Sequence, residues 1–340
     1  MNPRVILIIL NWNGRSDTLE CLESLLGLSS PSPAAGIERE HPSPPRAGGT
    51  EGGPEPPYAV TVVDNGSTDG SVAAIQARFP HVRLIENDRN LGFVGGNNVG
   101  LRHALEEGAD YALLLNNDTV VDPSLVRLLV EVADSNPDVG VAGPTICYYD
   151  RPDCIWSAGG AIDWRQGRTR MIGLNERDVG QFGHSPREVD FVTGCAMLVR
   201  RAALEQVGLL DERFFAYYED AEWCVRMRRA GFKVVHVPEA RLWHKITPER
   251  RADSPVVHYY MTRNRLLFLK ATGASGAAWL HTLFAEYLRT LLSWTVRPRW
   301  QARRAQRNAM LKAVFDFAVG RTGPVRIQNT RSLDSGNRCG

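Results

Sequence analysis

The stretch Tyr111-Ala112-Leu113-Leu114-Leu115-Asn116-Asn117-Asp118-Thr119-Val120-Val121-Asp122-Pro123 decides the fold. Its first five residues are the apolar run of a buried strand. The run ends in amide and carboxylate oxygens, which places them at the carboxyl edge of a sheet. Open α/β sheets bind their ligands at that edge. Hard oxygen groups there suit a divalent cation bridging to a diphosphate. Asn and Asp also end strands simply because they favour turns, so the neighbouring segments decide.

Outward from that strand, the chain alternates. Val5–Leu10, Ala59–Asp64, Val82–Glu86 and Val139–Gly143 read as further strands. Ser16–Leu26, Ser71–Phe79, Gly95–Glu107 and Pro123–Asp134 read as helices. Such βαβ alternation implies an α/β fold with a parallel sheet and right-handed crossovers. The Pro- and Gly-rich residues 29–57 interrupt it and read as a disordered surface insertion. Further on, Gly194–Val199 reads as a strand and Asp220–Ala230 as a helix closed by Gly231. Phe232–Pro238 and Arg241–Trp243 read as strands. From Pro255 the chain is helical and basic. The expected organisation is a catalytic α/β domain over 1–250, a helical extension over 251–325 and a disordered tail over 326–340.

Composition sets limits. With 340 residues, 43% hydrophobic and 23% charged, the chain is an ordinary globular protein. Its six cysteines show no CxxC pair, which argues against structural zinc and for a reduced cytosolic setting. Val5–Leu10 is too short for a signal h-region. Residues 241–340 carry 18 Lys and Arg against 5 Asp and Glu, and residues 1–240 the remaining 22 against 33. An acidic half followed by a basic one points to an anionic partner or surface. Ala277–Val296 includes His281, Glu286 and Arg289, so it is an amphipathic helix rather than a span.

Four motifs bear chemistry. Asp64-Asn65-Gly66-Ser67-Thr68-Asp69-Gly70-Ser71 is a tight strand-to-helix turn, with Asp64 poised for a base or ribose and Ser67 or Asp69 able to cap the helix. It is not GxGxxG, which disfavours a nicotinamide site. In Asn90-Leu91-Gly92-Phe93-Val94-Gly95-Gly96-Asn97-Asn98-Val99-Gly100 the glycines permit close backbone approach to a ligand. Glu219-Asp220 opens a helix after the aromatic run 214–218 and supplies a general base, although carboxylates at helix starts also serve the dipole. Trp243-His244 ends a strand, and Arg263 is a phosphate-clamp candidate.

In this order, with Leu10-Asn11-Trp12-Asn13, Gly194-Cys195-Ala196-Met197 and Arg263-Asn264, the segments resemble the family 2 inverting glycosyltransferases of the GT-A fold, a Rossmann-like architecture. The bacterial rhamnosyltransferase-like subgroup is the most similar. The resemblance spans residues 4–272 outside the insertion. It implies a nucleotide diphosphate sugar donor and a glycan or polyprenyl-diphosphate-linked acceptor in cell-surface polysaccharide synthesis. It implies a donor site of Asn11, Asn13, Asp64, Asn65, Gly92, Asn97, Asn116, Asn117 and Arg263. Asp118 and His244 are implied to hold Mg²⁺ or Mn²⁺, with Asn116 in place of the first acid of the DxD motif. Asp220 is implied as base with Glu219 beside it, and Gly194, Cys195 and Trp223 as the acceptor side. A nucleotidyltransferase would show a Gly-rich, Arg/Lys-bearing loop after the first strand. An inactive sugar-nucleotide-binding protein would not need Glu219-Asp220. The basic tail beside Trp294 and Trp300 is expected to attach the enzyme to the cytoplasmic face of an anionic membrane. A nucleic-acid partner is not expected, for lack of aromatic-studded sheet motifs.

Overall fold

A computed structural model describes residues 4–27, 58–246 and 254–325. The expected insertion over 29–57 and the tail over 326–340 lie outside these. The chain divides into two compact units. The first takes Met1–Asp163, Arg168–Asp211 and Glu219–Ile246; the second takes Trp164–Gly167, Glu212–Tyr218 and Thr247–Gly340.

The first unit is built on one mixed sheet. β1 (Val5–Asn11) lies between β2 (Tyr58–Asp64) and β4 (Tyr111–Asn116), parallel to both. β3 (Arg83–Glu86) extends the edge beside β2. On the other side β11 (Ala196–Arg200) runs antiparallel between β4 and β6 (Val139–Tyr148). β6 in turn pairs parallel with β12 (Lys233–His244). Six strands therefore share one direction, with β11 reversed among them. The apolar runs are buried because helices cover both faces: Ile6, Ile8, Leu113 and Leu114 have almost no exposure. In register, Asn11 faces Asp64 and Leu10 faces Asn116, so the polar strand ends line up at one edge.

Two strands expected over 232–238 and 241–243 form a single β12 with an irregularity between Val237 and Arg241. Pro238 cannot donate to a ladder, which accounts for the break. β5 (Thr119–Val121), too short to read from periodicity, pairs antiparallel with Leu242–His244.

Helix α3 (Gly92–Glu106) begins three residues before the expected Gly95. Its glycines correct the reading as ligand-approach points. A Cβ on Gly100 would meet Ile8 Cγ2 at 2.3 Å, and one on Gly96 would meet Leu10 Cδ1 at 2.3 Å. Both let the helix lie close on β1. Gly100→Ala is therefore expected to cost about 1–3 kcal/mol by overpacking, read as a lowered denaturant midpoint. An unchanged midpoint would show that the helix shifts freely.

The second unit contains α7 (Pro255–Ala271), a helix over 276–296 and a last helix, Arg304–Ala318. The 276–296 helix is α-helical over Gly276–Leu280, π-helical over His281–Leu288 and α-helical again over Arg289–Val296. Arg265 on α7 donates to the carbonyls of Gln166 and Gly167, which ties that short segment into the unit. Among the described residues no helix is long and apolar enough to cross a membrane.

Candidate active site at the carboxyl edge of the sheet

Asn11 is the hub of the donor-side edge. It is fully buried, and its Nδ2 donates to Asp64 Oδ1 at 2.6 Å and Ser67 Oγ at 3.1 Å. Its Oδ1 accepts from Thr18 Oγ1 at 2.8 Å and from the Gly14 amide. Asp64 accepts from Ser67 through both oxygens, at 2.8 Å from the amide and 2.6 Å from the hydroxyl. A carboxylate has about four acceptor positions; three are taken, leaving one for a donor ligand. Asn13, in the left-handed region at φ 51°, closes the turn by accepting from the Thr68 amide at 2.8 Å. Ser67 thus bridges strands β1 and β2 rather than capping the next helix, whereas Asp69 accepts from the Ser71 amide at 3.0 Å.

Asn65 and Asn97 sit one layer back. Asn65 is buried, donates to the Gly92 carbonyl at 3.0 Å and accepts from Asn87 at 2.9 Å. Asn97 donates to the Phe93 carbonyl. Both brace the loop around Gly92, whose φ of +77° needs a glycine. Their amides serve that loop and do not open on the edge.

The Asn116-Asn117-Asp118 turn links β4 to β5. Asn117 donates to Thr18 Oγ1 at 2.9 Å. The β5–β12 pairing sets Thr119 opposite His244, and this brings His244 Nε2 to 3.1 Å from Asp118 Oδ1. Trp156 holds the imidazole edge-on at 4.9 Å. The other ring nitrogen, Nδ1, is buried beside Cys195 with no oxygen or nitrogen partner. Burial opposes charge on His244, but the Cys195 thiol and the Asp118 carboxylate outweigh it and raise its pKa to about 10. Burial likewise opposes charge on Asp118, yet the imidazole holds its carboxyl below the usual range.

A divalent cation would have to displace the proton that His244 holds before Asp118 and His244 could both ligate it. Among the described residues no cluster of three or more such side chains exists, so Asp118 and His244 would leave most positions to water and to a bound diphosphate.

β11 follows directly on Gly194 and Cys195, the residues expected on the acceptor side. Its pairing with β4 places the Cys195 carbonyl 2.9 Å from the Asn116 amide. One residue earlier, the Gly194 amide donates to Asp220 Oδ2 at 3.2 Å, while Ala221 donates to Oδ1 at 2.7 Å. A Cβ at Gly194 would strike Phe93 at 2.8 Å. Burial raises the Asp220 pKa against these hydrogen bonds. Glu219 is buried, whereas Asp220 is only partly covered.

Two expected site residues are committed to other contacts. Trp223 is fully buried, and its indole donates to the Gly208 carbonyl at 2.9 Å. It is core, not an acceptor platform. Arg263 is 2% exposed. Its guanidinium donates to the carbonyls of Phe214 at 2.8 Å, Arg213 at 3.2 Å and Gly323 at 2.9 Å. Those bonds leave it no reach to a phosphate. Cys195 is buried too and acts through its backbone and its contact with His244.

In the sequence Asn264 is no more than the second half of the Arg263-Asn264 motif. The two N–H groups of its Nδ2 are shared among three carbonyls, Phe214 at 2.8 Å, Ala216 at 2.6 Å and Tyr217 at 2.8 Å. That segment holds Phe215, Tyr217 and Tyr218 at φ 66°, 71° and 72°, a conformation costly for bulky side chains. The signal was the aromatic run itself, but its backbone conformation is not visible in residue types.

Comparison with known proteins shows the family and the fold. The model of the family "Glycosyltransferase like family 2" matches residues 53–263. An N-acetylglucosaminyl-diphospho-decaprenol L-rhamnosyltransferase of Mycobacterium tuberculosis is 30% identical over 263 residues, covering 72% of this chain and 81% of that protein. A dTDP-rhamnosyl transferase of Shigella flexneri, RfbF, is 28% identical over 223 residues, covering 62% and 70%. A solved structure of GalNAc-T7 with UDP, GalNAc and Mn²⁺ superposes with a TM-score of 0.52 at 15% identity, over 85% of this chain and 57% of that one. That likeness fixes the fold as GT-A. With a family match over more than half its length, the chain belongs to glycosyltransferase family 2 and is a glycosyltransferase.

Proposed function

We propose that the enzyme transfers L-rhamnose, with inversion, from a nucleotide diphosphate sugar to a hydroxyl of a polyprenyl-diphosphate-linked glycan at the cytoplasmic face of the membrane. The observation that carries this reading is the β4–β11 pairing. It sets the Asn116-Asn117-Asp118 turn beside the Gly194 amide that holds Asp220. That nearness is what a pyrophosphate site and a carboxylate base acting on one sugar would need. The names of the two rhamnosyl-transferring relatives support the sugar and, for one of them, the lipid-linked acceptor.

The residues divide the work. Asn11, Asn13, Asp64 and Asn117 shape the nucleoside side, with Trp12, 42% exposed, available for stacking. Asn65, Gly92 and Asn97 support the loop behind them. Asp220 accepts the proton of the acceptor hydroxyl as the sugar's anomeric carbon is attacked from the face opposite the departing diphosphate. Its raised pKa makes it a stronger base than an exposed aspartate. Asp118, and His244 once its proton is displaced, would hold a divalent cation, Mg²⁺ or Mn²⁺. When bound, that ion offsets the charge growing on the leaving nucleotide diphosphate.

Incubation with dTDP- and UDP-sugars and lipid-linked acceptors tests the reading. A rhamnosylated lipid with inverted anomeric configuration is expected. Release of nucleotide diphosphate without any glycosylated product would count against it. Asp118→Ala is expected to weaken cation-dependent donor binding at least tenfold and also to lower the unfolding temperature, because buried His244 loses the carboxylate that stabilises its charge. Full activity in excess chelator would remove the cation from the mechanism.

A further inference from the structure

The helix over 276–296 has two apolar sides. On one, Trp279, Leu283, Leu291 and Trp294 pack with buried Leu266, Tyr287 and Met310. On the other, Leu280, Phe284, Leu288, Leu292 and Val296 are 61%, 58%, 45%, 55% and 74% exposed. An α-helical step of four residues overshoots one turn by about 40°, which would wind such a row around the helix. A step of four falls short of a full turn in the wider π geometry. The π stretch His281–Leu288 therefore offsets the drift of the α segments, and the row keeps one face. Contiguous apolar surface of this kind marks an interaction site.

The chain beyond the row carries one sign of charge. Residues 297–315 contain five arginines, one lysine and no carboxylate. At the carboxyl end of the row, Trp294, Val296, Arg297, Arg304 and Arg307 line a cavity of about 300 Å³. A protein interface of ordinary kind mixes charges at its rim. An apolar row beside tryptophan and a rim of arginine alone fits a lipid headgroup region.

Resting on the reading of a lipid-linked acceptor, we infer that this face docks on an anionic lipid leaflet, with the apolar row at the acyl boundary and the Arg297–Arg304–Arg307 cavity holding a lipid phosphate. The full-length enzyme is sedimented with vesicles of phosphatidylcholine alone or mixed with phosphatidylglycerol. Wild type is expected to co-sediment with the mixed vesicles only, and less as salt rises. Each arginine near such a surface is worth about fivefold in partition, so R297A/R304A/R307A is expected to lose on the order of 100-fold. L288E/L292E is expected to remain in the supernatant while transfer to a soluble acceptor analogue stays at the wild-type rate. Wild type left in the supernatant with both vesicles would overturn the inference. So would a lipid-free dimer in analytical ultracentrifugation that L288E/L292E abolishes, because the row would then belong to a second copy of the chain. Vesicle binding without transfer to any acceptor would refute the functional reading while supporting this surface.

Discussion

Asp220→Asn is expected to lower turnover by about two to four orders of magnitude, the usual contribution of a positioned general base. The amide keeps the carboxylate's shape, but it cannot take the acceptor's proton. Unfolding should move little, for two opposing reasons. One of the bonds from Gly194 and Ala221 is weakened, and a charge that burial disfavours is removed. The sign of the pH effect follows from that burial. The folded-state pKa lies above the ordinary aspartate value of about 3.9, so the folded protein holds this proton more tightly than the unfolded chain. The stability linked to Asp220 is present at low pH and is lost as pH rises through the folded pKa. Catalysis runs the other way and needs the ionised form, so the acid limb of kcat/KM should fall at a pH above the ordinary aspartate range. A pH profile of both proteins, with thermal unfolding alongside, checks this. Turnover within a few-fold of wild type in Asp220→Asn would move the role to another carboxylate, Glu219 first.

The second large effect is expected at Asn264. Replacing it by Ala removes the two N–H donors that three carbonyls of the 214–217 backbone share. Each is worth about 1 kcal/mol net, and a buried carbonyl left without its partner costs about 1–3 kcal/mol. A loss of about 3 kcal/mol or more follows, enough to let Phe215, Tyr217 and Tyr218 leave their left-handed conformations. Arg263 still bonds Phe214, so the segment should loosen rather than unfold entirely. Tyr218 is covalently joined to Glu219, the first residue of the helix that carries Asp220. Turnover should therefore drop with KM for donor little changed. Asn264→Asp is the sharper variant, since a carboxylate keeps the size but cannot donate. Wild-type stability in Asn264→Asp would show that these bonds contribute nothing.

Much of the sheet was legible because its signal is local. Val5–Asn11 and Tyr111–Leu115 are apolar without interruption, and only strands buried on both faces tolerate that. The polar strand ends, Asn11, Asp64 and Asn116-Asn117-Asp118, were legible as an edge for the same reason: in a parallel sheet, strands of similar length end together. Gly96 and Gly100 were misread because glycine permits both close ligand approach and close helix packing. Only the position of Ile8 and Leu10 on β1 shows which one operates. Trp223 and Arg263 were misplaced for a related reason. An aromatic or an arginine in a motif carries the same chemistry whether it faces a cleft or the core. Its exposure is set by which elements pack over it.

Residue order alone determined the family, the α/β class, the acidic edge and the Glu219-Asp220 pair, because motif spacing and hydrophobic period are properties of the chain. Tertiary structure decided the rest. The three-residue β5 has too few residues for a periodic signal, yet its pairing with the end of β12 brings His244 to Asp118 across 126 positions of sequence. The reversed β11 puts the Gly194 amide against Asp220 beside the β4 turn. The three carbonyls that Asn264 holds lie 47 to 50 residues away along the chain. Such contacts depend on the closure of long loops, and the free energy that closes them comes from the whole packed core. No residue near either partner encodes it.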